Sequence, residues 1–348
     1  MADFKFKSVL VTGAAGFIGC NFVRKILKKN PEIKVISFDL LTYAGSRKNL
    51  EDILNSSNYP NHIFIQGDIC DGDKIKEILE QFEIDLIVHF AAESHVDNSI
   101  SGPEIFIKTN VLGTFNLLEC ARQYWLEKKH WNQDQCRFHH VSTDEVFGSL
   151  NKTDPGFNER TPYAPNSPYS ASKASSDHLV RAYSHTYGLP VTISNCSNNF
   201  GPYQHAEKLI PVVIKSCVDQ KNIPIYGDGS NIRDWLFVED HCEAIERILI
   251  SGIPGESYNI GGNCELSNLD LVKKICDQMD VLIPEQAPHR NLISFVKDRQ
   301  GHDWRYAIDS SKIKNQLGWE ANHNFDQMLA RTLKYYLSLI RETACEMV

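Results

Sequence analysis

The chain has 348 residues, 42% hydrophobic and 23% charged, with a formal net charge of −8. That length suits two domains at roughly 150 residues each, or one large α/β unit with an appended lobe. An acidic balance without clustered Lys or Arg excludes sequence-blind binding to nucleic acid, which needs a basic surface. No run approaches the about 18 apolar residues of a membrane span, and "MADFKFKSVLVTG" lacks a signal peptide's apolar core, so a cytoplasmic location and no membrane partner are expected.

Strand-like runs alternate with helix-length amphipathic runs through the first half. "SVLVT" (8–12) precedes a helix over 17–30, and "KVISFD" (34–39) is followed by "HIFIQGD" (62–68) and a helix over 73–82. "DLIVHFAA" (85–92) leads to a helix over 103–123, "RFHHVST" (137–143) to one over 169–187, and "PVTISNC" (190–196) closes the series. Val- and Ile-rich strands separated by helices predict an α/β fold, a Rossmann-type doubly wound parallel sheet covered on both faces. Ligands of such sheets collect at the carboxyl ends of the strands.

After about residue 196, Gly, Pro and Asn become more frequent, which predicts a smaller C-terminal α/β substrate-binding lobe. Helices are expected there over 208–219, 239–251, 267–279 and 325–341, with Ser267 and Asp270 opening the third as a capping box. The 239–251 helix is expected to return to the first domain. The division is then 1–196 plus about 231–256 for the first domain, and 197–230 plus 257–348 for the second.

The first strand ends in "TGAAGFIG", which puts Gly13, Gly16 and Gly19 where a strand turns into a helix. Glycines there let the backbone approach a pyrophosphate, whose charge meets the helix N-terminus. Asp39 closes the next strand and can accept from both ribose hydroxyls while repelling a 2′-phosphate, so NAD is preferred over NADP. Arg47 and Lys48, a few residues on, weaken that preference. The ten cysteines form no C-x-x-C pair and read as reduced, mostly buried hydrophobes. His139 and His140 would point to opposite faces of a strand, which suits no single metal ion.

In "NSPYSASKAS", Tyr169 and Lys173 stand one helical turn apart at the start of a helix that Pro168 helps to open. A neighbouring ammonium favours the phenolate, so this pair can take a proton from a carbinol while hydride leaves its carbon. Tyr124 and Lys128 repeat the spacing, but near the amino end of the 137–143 strand, and read as structural. Thr143 ends that strand at the ligand edge and is followed at once by Asp144 and Glu145. Consecutive strand residues diverge, so both carboxyls reach one ligand only if the chain turns at Thr143–Glu145. Held in different protonation states, they could serve as an acid and a base.

"TGAAGFIG", Asp39, "HFAAESHVD", "STDEVFG" and "YSASK" together resemble the extended short-chain dehydrogenase/reductase family, and within it the dTDP-glucose 4,6-dehydratases, from residue 8 to about residue 320. The resemblance implies Thr143, Asp144, Glu145, Tyr169 and Lys173 as catalytic residues, with Glu145 the base at sugar C5 and Asp144 the acid at C6. It implies NAD as cofactor, at Gly13, Gly16, Phe17, Ile18, Gly19, Asp39, Thr42, Asp68, Ile69, Ala91, Ala92, Thr109, Tyr169, Lys173 and Asn199. The nucleotide-sugar substrate, dTDP-glucose, is implied at Ser94, Thr143, Asn198, Lys208, Leu209, Pro224, Tyr226, Arg233, Asn268, Arg299 and His302. Arg233 and Arg299 could each fork onto a diphosphate. A homodimer built on the 103–123 and 169–187 helices is likewise implied.

Leu40, Phe147, Cys20 and Gln300 depart from the family's usual Lys, Tyr, Ser and Pro, and Leu40 alters the edge of the adenosine pocket. The alternatives are a UDP-sugar dehydratase or 4-epimerase, and an idle NAD-sensing protein on the same fold. Inversion at C4 needs no elimination machinery, so Asp144 and Glu145 weigh against an epimerase.

Overall fold

The structure, a computed structural model, describes residues 4–322 and 324–346. Seven strands form one wholly parallel sheet: β1 (Ser8–Thr12), β2 (Lys34–Asp39), β3 (His62–Gln66), β4 (Leu86–His89), β5 (Arg137–Thr143), β6 (Val191–Cys196) and β10 (Ser257–Ile260). Their spatial order is β10-β6-β5-β4-β1-β2-β3, so the winding reverses between β1 and β4. Such a reversal opens a crevice at the carboxyl edge. β1 and β4 to β6 are buried at every residue, which explains the apolar runs of β1 and β4, while β5 and β6 bury His, Ser, Thr and Asn side chains as well.

Helices cover both faces. On one, Phe17–Lys29 packs with Val238–Ser251, through Phe22, Val23, Ile26, Ile245, Ile248 and Leu249. The other carries Gly72–Gln81, a long helical run and Pro168–Tyr187, centred on Leu117, Leu118, Trp125, Phe138 and Val180. Each such side chain contributes about 1.5–3 kcal/mol by leaving water. Trp125 also satisfies its one donor, giving Nε1–H to the Ile84 carbonyl at 2.7 Å.

The long run joins Glu104–Phe106, Ile107–Gly113, Thr114–Ala121 and Arg122–Lys128, the second and fourth wound as π-helix. It extends past the predicted end at 123. Its first π segment turns Asn110 inward, where the side-chain oxygen accepts from Glu93 N at 2.8 Å and Nδ2 donates to Ser172 Oγ at 2.8 Å.

The smaller lobe has a three-stranded sheet, ordered β11 (Glu265–Ser267), β9 (Ile232–Phe237), β7 (Asn198–Phe200), and a parallel pair of β8 (Ile223–Tyr226) with β12 (Ile293–Val296). Helices Leu209–Asp219, Asn268–Leu282 and Phe325–Glu346 enclose its core. Ser267 caps the second of these, accepting from Asp270 N at 3.0 Å.

Two stretches fall on the other side of the predicted division. Ser257–Ile260, expected in the second domain, is the edge strand of the main sheet, because its fully buried residues pair with β6. Ile232–Phe237, expected in the first, lies between β7 and β11 in the small sheet. The 238–251 helix does pack on the main sheet.

Candidate active site

The carboxyl ends of β1 to β6 open into one cleft of about 350 Å³. Its floor is the first strand–helix turn. Gly13 has φ +68, and a Cβ there would sit 2.6 Å from Ala91 N; a Cβ on Gly19 would sit 2.1 Å from the Gly13 carbonyl oxygen. Only glycine permits this approach of two backbones. The 17–29 helix begins at Gly16 with no side-chain cap and no acidic residue in its first turn, leaving its N-terminal N–H groups free to meet an anion. Asp39 is fixed at the end of β2, accepting from Ala15 N at 2.9 Å and Leu41 N at 2.8 Å. Burial raises its pKa, and those two bonds oppose the rise. Arg47 lies over the Phe64 ring, 5.3 Å from its centroid.

Every residue expected at the cofactor lines this cleft: Gly13, Gly16, Phe17, Ile18, Gly19, Asp39, Thr42, Asp68, Ile69, Ala91, Ala92, Thr109, Tyr169, Lys173 and Asn199. So do Thr143, Asp144, Glu145, Ser94, Asn198 and Lys208. Leu209, Pro224, Tyr226, Arg233, Asn268, Arg299 and His302 do not line it; they stand in the second lobe and the loop after β12. Three of these approach one another: Tyr226 Oη donates to Asp97 at 3.4 Å, Arg299 Nη1 lies 3.7 Å from the same carboxylate, and the Tyr226 and His302 rings are 6.3 Å apart. Arg233 is committed to the protein, donating to the Ile232 carbonyl at 2.7 Å and the Asp303 carbonyl at 3.0 Å, with its guanidinium over Tyr306.

The turn required after Thr143 is present. β5 ends there and Asp144–Phe147 forms a single 3₁₀ turn capped by Thr143, whose Oγ1 accepts from Glu145 N at 3.3 Å. Gly148 ends the turn at φ +92, against the Ala164 carbonyl. The same hydroxyl donates to Asp144 Oδ1 at 3.4 Å.

The two carboxyls sit in different fields. Asp144 is 1% exposed, and its Oδ2 has no hydrogen-bond partner among the described residues. Burial, then the Glu145 and Asp234 charges, push its pKa well above the usual carboxylate value. Burial also raises Glu145, but Arg299, Arg233 and Lys208 oppose the rise. Adjacent in sequence, one carboxyl is driven to hold its proton while three cations favour release from the other.

Tyr169 and Lys173 share the inner face of the 168–187 helix, whose start is fixed by Ser167, which accepts from Ser170 N at 3.0 Å. Lys173 Nζ donates to the Val141 carbonyl at 2.9 Å. The expected lowering of the Tyr169 pKa is not found. Burial, then the Glu145 charge, push it well above the ordinary value, and only the Thr143 hydroxyl opposes them. The ammonium turned to Val141 does not outweigh a dry site beside two acids.

The sequence reading missed Glu93, Lys108, Ser142, Cys196, Gln204, His205 and Glu207, which also line the cleft. Ser142 and Cys196 end strands at the ligand edge, a signal that could have found them. Gln204, His205 and Glu207 arrive on a loop from the second lobe, and nothing in their spacing announces it. Among the departures, Phe147 stacks on Phe157 at 5.1 Å, Cys20 donates to the Phe17 carbonyl at 3.2 Å, and Leu40 is 44% exposed at the cleft mouth.

Residues 10–332 match the family profile described as GDP-mannose 4,6 dehydratase. The chain is 53% identical to a dTDP-glucose 4,6-dehydratase of Xanthomonas campestris, over 94% of this chain and 93% of that protein. The crystal structure of DesIV, a dTDP-glucose 4,6-dehydratase from Streptomyces venezuelae with NAD bound, superposes with a TM-score of 0.86 at 44% identity, covering 95% of this chain and 97% of that one. A UDP-glucose 4-epimerase from Thermotoga maritima reaches a TM-score of 0.83 at 26% identity, covering 96% of this chain and 99% of that one.

Proposed function

The chain belongs to the GDP-mannose 4,6 dehydratase family, and from that premise we propose that it is an NAD-dependent hydro-lyase converting dTDP-glucose to dTDP-4-keto-6-deoxyglucose and water. The observation that carries the reading is the Asp144–Glu145 pair, turned into one cleft beside Tyr169, with the Asp144 pKa pushed well above the usual carboxylate value and the rise of Glu145 opposed by three cations.

The cleft fits a dinucleotide on its own geometry. The glycine turn leaves no room for a Cβ, the helix N-terminus is uncapped, and Asp39 stands where a ribose would lie. NAD bound there would supply a hydride acceptor for oxidation at the sugar C4 and, once reduced, a hydride donor for C6. Everything else falls to side chains. Tyr169, with Thr143 beside it, takes the C4 hydroxyl proton. Glu145 removes the C5 proton, made acidic by the adjacent ketone, exchanges it with solvent and protonates C5 again at the end. Asp144 protonates the C6 hydroxyl, which leaves as water. Lys208 and Arg299 supply positive charge toward the diphosphate, and with Arg233 they limit the rise of the Glu145 pKa.

The test is incubation with dTDP-glucose in heavy water. The expected product is a ketone carrying deuterium at C5; absence of any ketone would defeat the reading. A panel of UDP-sugars separates it from the epimerase chemistry of the 26%-identical structural relative.

We propose that the chain assembles as a homodimer. Ile107, Leu112, Phe115 and Tyr187, on the 104–128 run and the 168–187 helix, are 44–55% exposed, which supports burial against a second copy. Sedimentation should give twice the chain mass, and Leu112→Glu should halve it. The cytoplasm suits the nine described cysteines, all of them free thiols, and no described helix is long and apolar enough to cross a membrane.

A further inference from the structure

Behind Lys173, on the side away from the cleft, lies a buried polar network that the reaction scheme does not use. Lys173 Nζ lies 3.5 Å from His140 Nε2, and the same nitrogen lies 3.2 Å from Asp177 Oδ1. Asp177 follows Lys173 by one helical turn and is wholly buried, as is His140. Its other oxygen accepts from Tyr163 Oη at 2.8 Å, Ser142 Oγ at 2.9 Å and Asn195 Nδ2 at 3.2 Å. Arg181 donates to that tyrosine at 3.0 Å. Three donors on one oxygen, in a dry site, describe a carboxylate and not an acid.

His140 bridges two charges. Burial, then the Lys173 charge, bring its pKa down to about 4, so the ring is neutral. Its Nδ1 has no hydrogen-bond partner among the described residues, and its Nε2 stands between Lys173 Nζ and Asp177 Oδ1. Lys173 itself is buried among His140 and His89 from the sheet, Cys196 from β6, and Tyr169 and Asp177 of its own helix. Of these, Asp177 is the group that carries a full negative charge at neutral pH.

We propose that Asp177, acting across His140, is the positioning residue for Lys173: its buried carboxylate keeps the ammonium charged and pinned to the Val141 carbonyl, and so sets the pH range in which Tyr169 serves as the base. This rests on the dehydratase reading for its activity assay but not for its spectroscopic one.

Asp177→Asn keeps the shape and removes the charge. Without that charge Lys173 loses its proton at lower pH, so the alkaline limb of the kcat profile moves down by about one pH unit. NMR titration of the labelled lysine side chains of the substrate-free protein, with Lys173→Met as the blank, should show the same downward move of Lys173. If kcat falls uniformly with the alkaline limb and the Lys173 titration unmoved, Asp177 is structural only and the proposal is overturned. Should Asp177→Asn not fold, Tyr163→Phe, which removes one of the three donors to the Asp177 carboxylate, should move the Lys173 titration down by a smaller amount, and an unmoved titration overturns the proposal. A shifted titration in a protein that makes no ketone would sink the dehydratase reading and leave this inference standing.

Discussion

The chain carries two tyrosine–lysine pairs at one spacing, Tyr124 with Lys128 and Tyr169 with Lys173, and they end in opposite surroundings. Tyr124 sits in the core, edge-on to Trp131 at 5.8 Å, its hydroxyl buried without a hydrogen bond to a described residue. Lys128 points outward to an ion pair with Glu80 and is 56% exposed. The second pair is drawn together over a strand end, with its ammonium held by a backbone carbonyl. Chemistry resides in the place, and the spacing alone carries none. A pair at the amino end of β5 meets packed side chains, and one at the carboxyl end meets the crevice.

The sharpest way to break this comparison is to make the same change in both pairs. Tyr169→Phe should lower kcat for ketone formation on the order of 10²–10⁴-fold, the contribution of a positioned base. Tyr124→Phe should leave kcat unchanged, since it removes only an unpaired hydroxyl. Equal losses, measured side by side as ketone formed, would refute the assignment of roles.

Next in size is the turn that builds the crevice. Gly13→Ala forces a side chain into φ +68 and against the Ala91 backbone, and should cost about 1–3 kcal/mol in denaturant unfolding, with weakened NAD binding by calorimetry.

A subtler effect concerns Asp144. Its folded pKa lies above the unfolded one, so its favourable contribution is complete below the ordinary carboxylate range and is lost as pH rises. Asp144→Asn should therefore be more stable than the parent at neutral pH, with the gap closing below about pH 4. Thermal melts across pH check the sign; a gap that widens toward acid would contradict it. Smallest of all, Lys128→Ala should change stability by no more than about 0.5 kcal/mol, as expected of an exposed ion pair.

Much of this was legible in the chain, because period and punctuation carry it. Buried parallel strands read as apolar runs, and the glycine turn and Asp39 follow from what a strand–helix junction must do. The turn at Thr143–Glu145 follows from geometry, because consecutive strand side chains diverge. Other features were illegible for physical reasons. The π segments leave no mark on a helical pattern. His205 and Glu207 look like solvated charges until the loop bearing them is placed. Asp177 is wholly buried, one helical turn past Lys173 and beside His140 of the sheet, and nothing in the local pattern announces it. The Tyr169 shift was misjudged because desolvation depends on burial that sequence spacing does not encode.

The placement of β10 in the main sheet has an engineering consequence. The backbone leaves the large body after β6, returns for 238–251 and 257–260, departs again for β11, comes back with Ile313 and Trp319, and finishes in the small lobe at Phe325–Glu346. Two bodies stitched together this often cannot be parted by one cut, and wide hinge opening would strain several tethers at once. Retuning which sugar is accepted therefore calls for point replacement on the existing scaffold, because a transplanted lobe would carry away the outermost strand of its host.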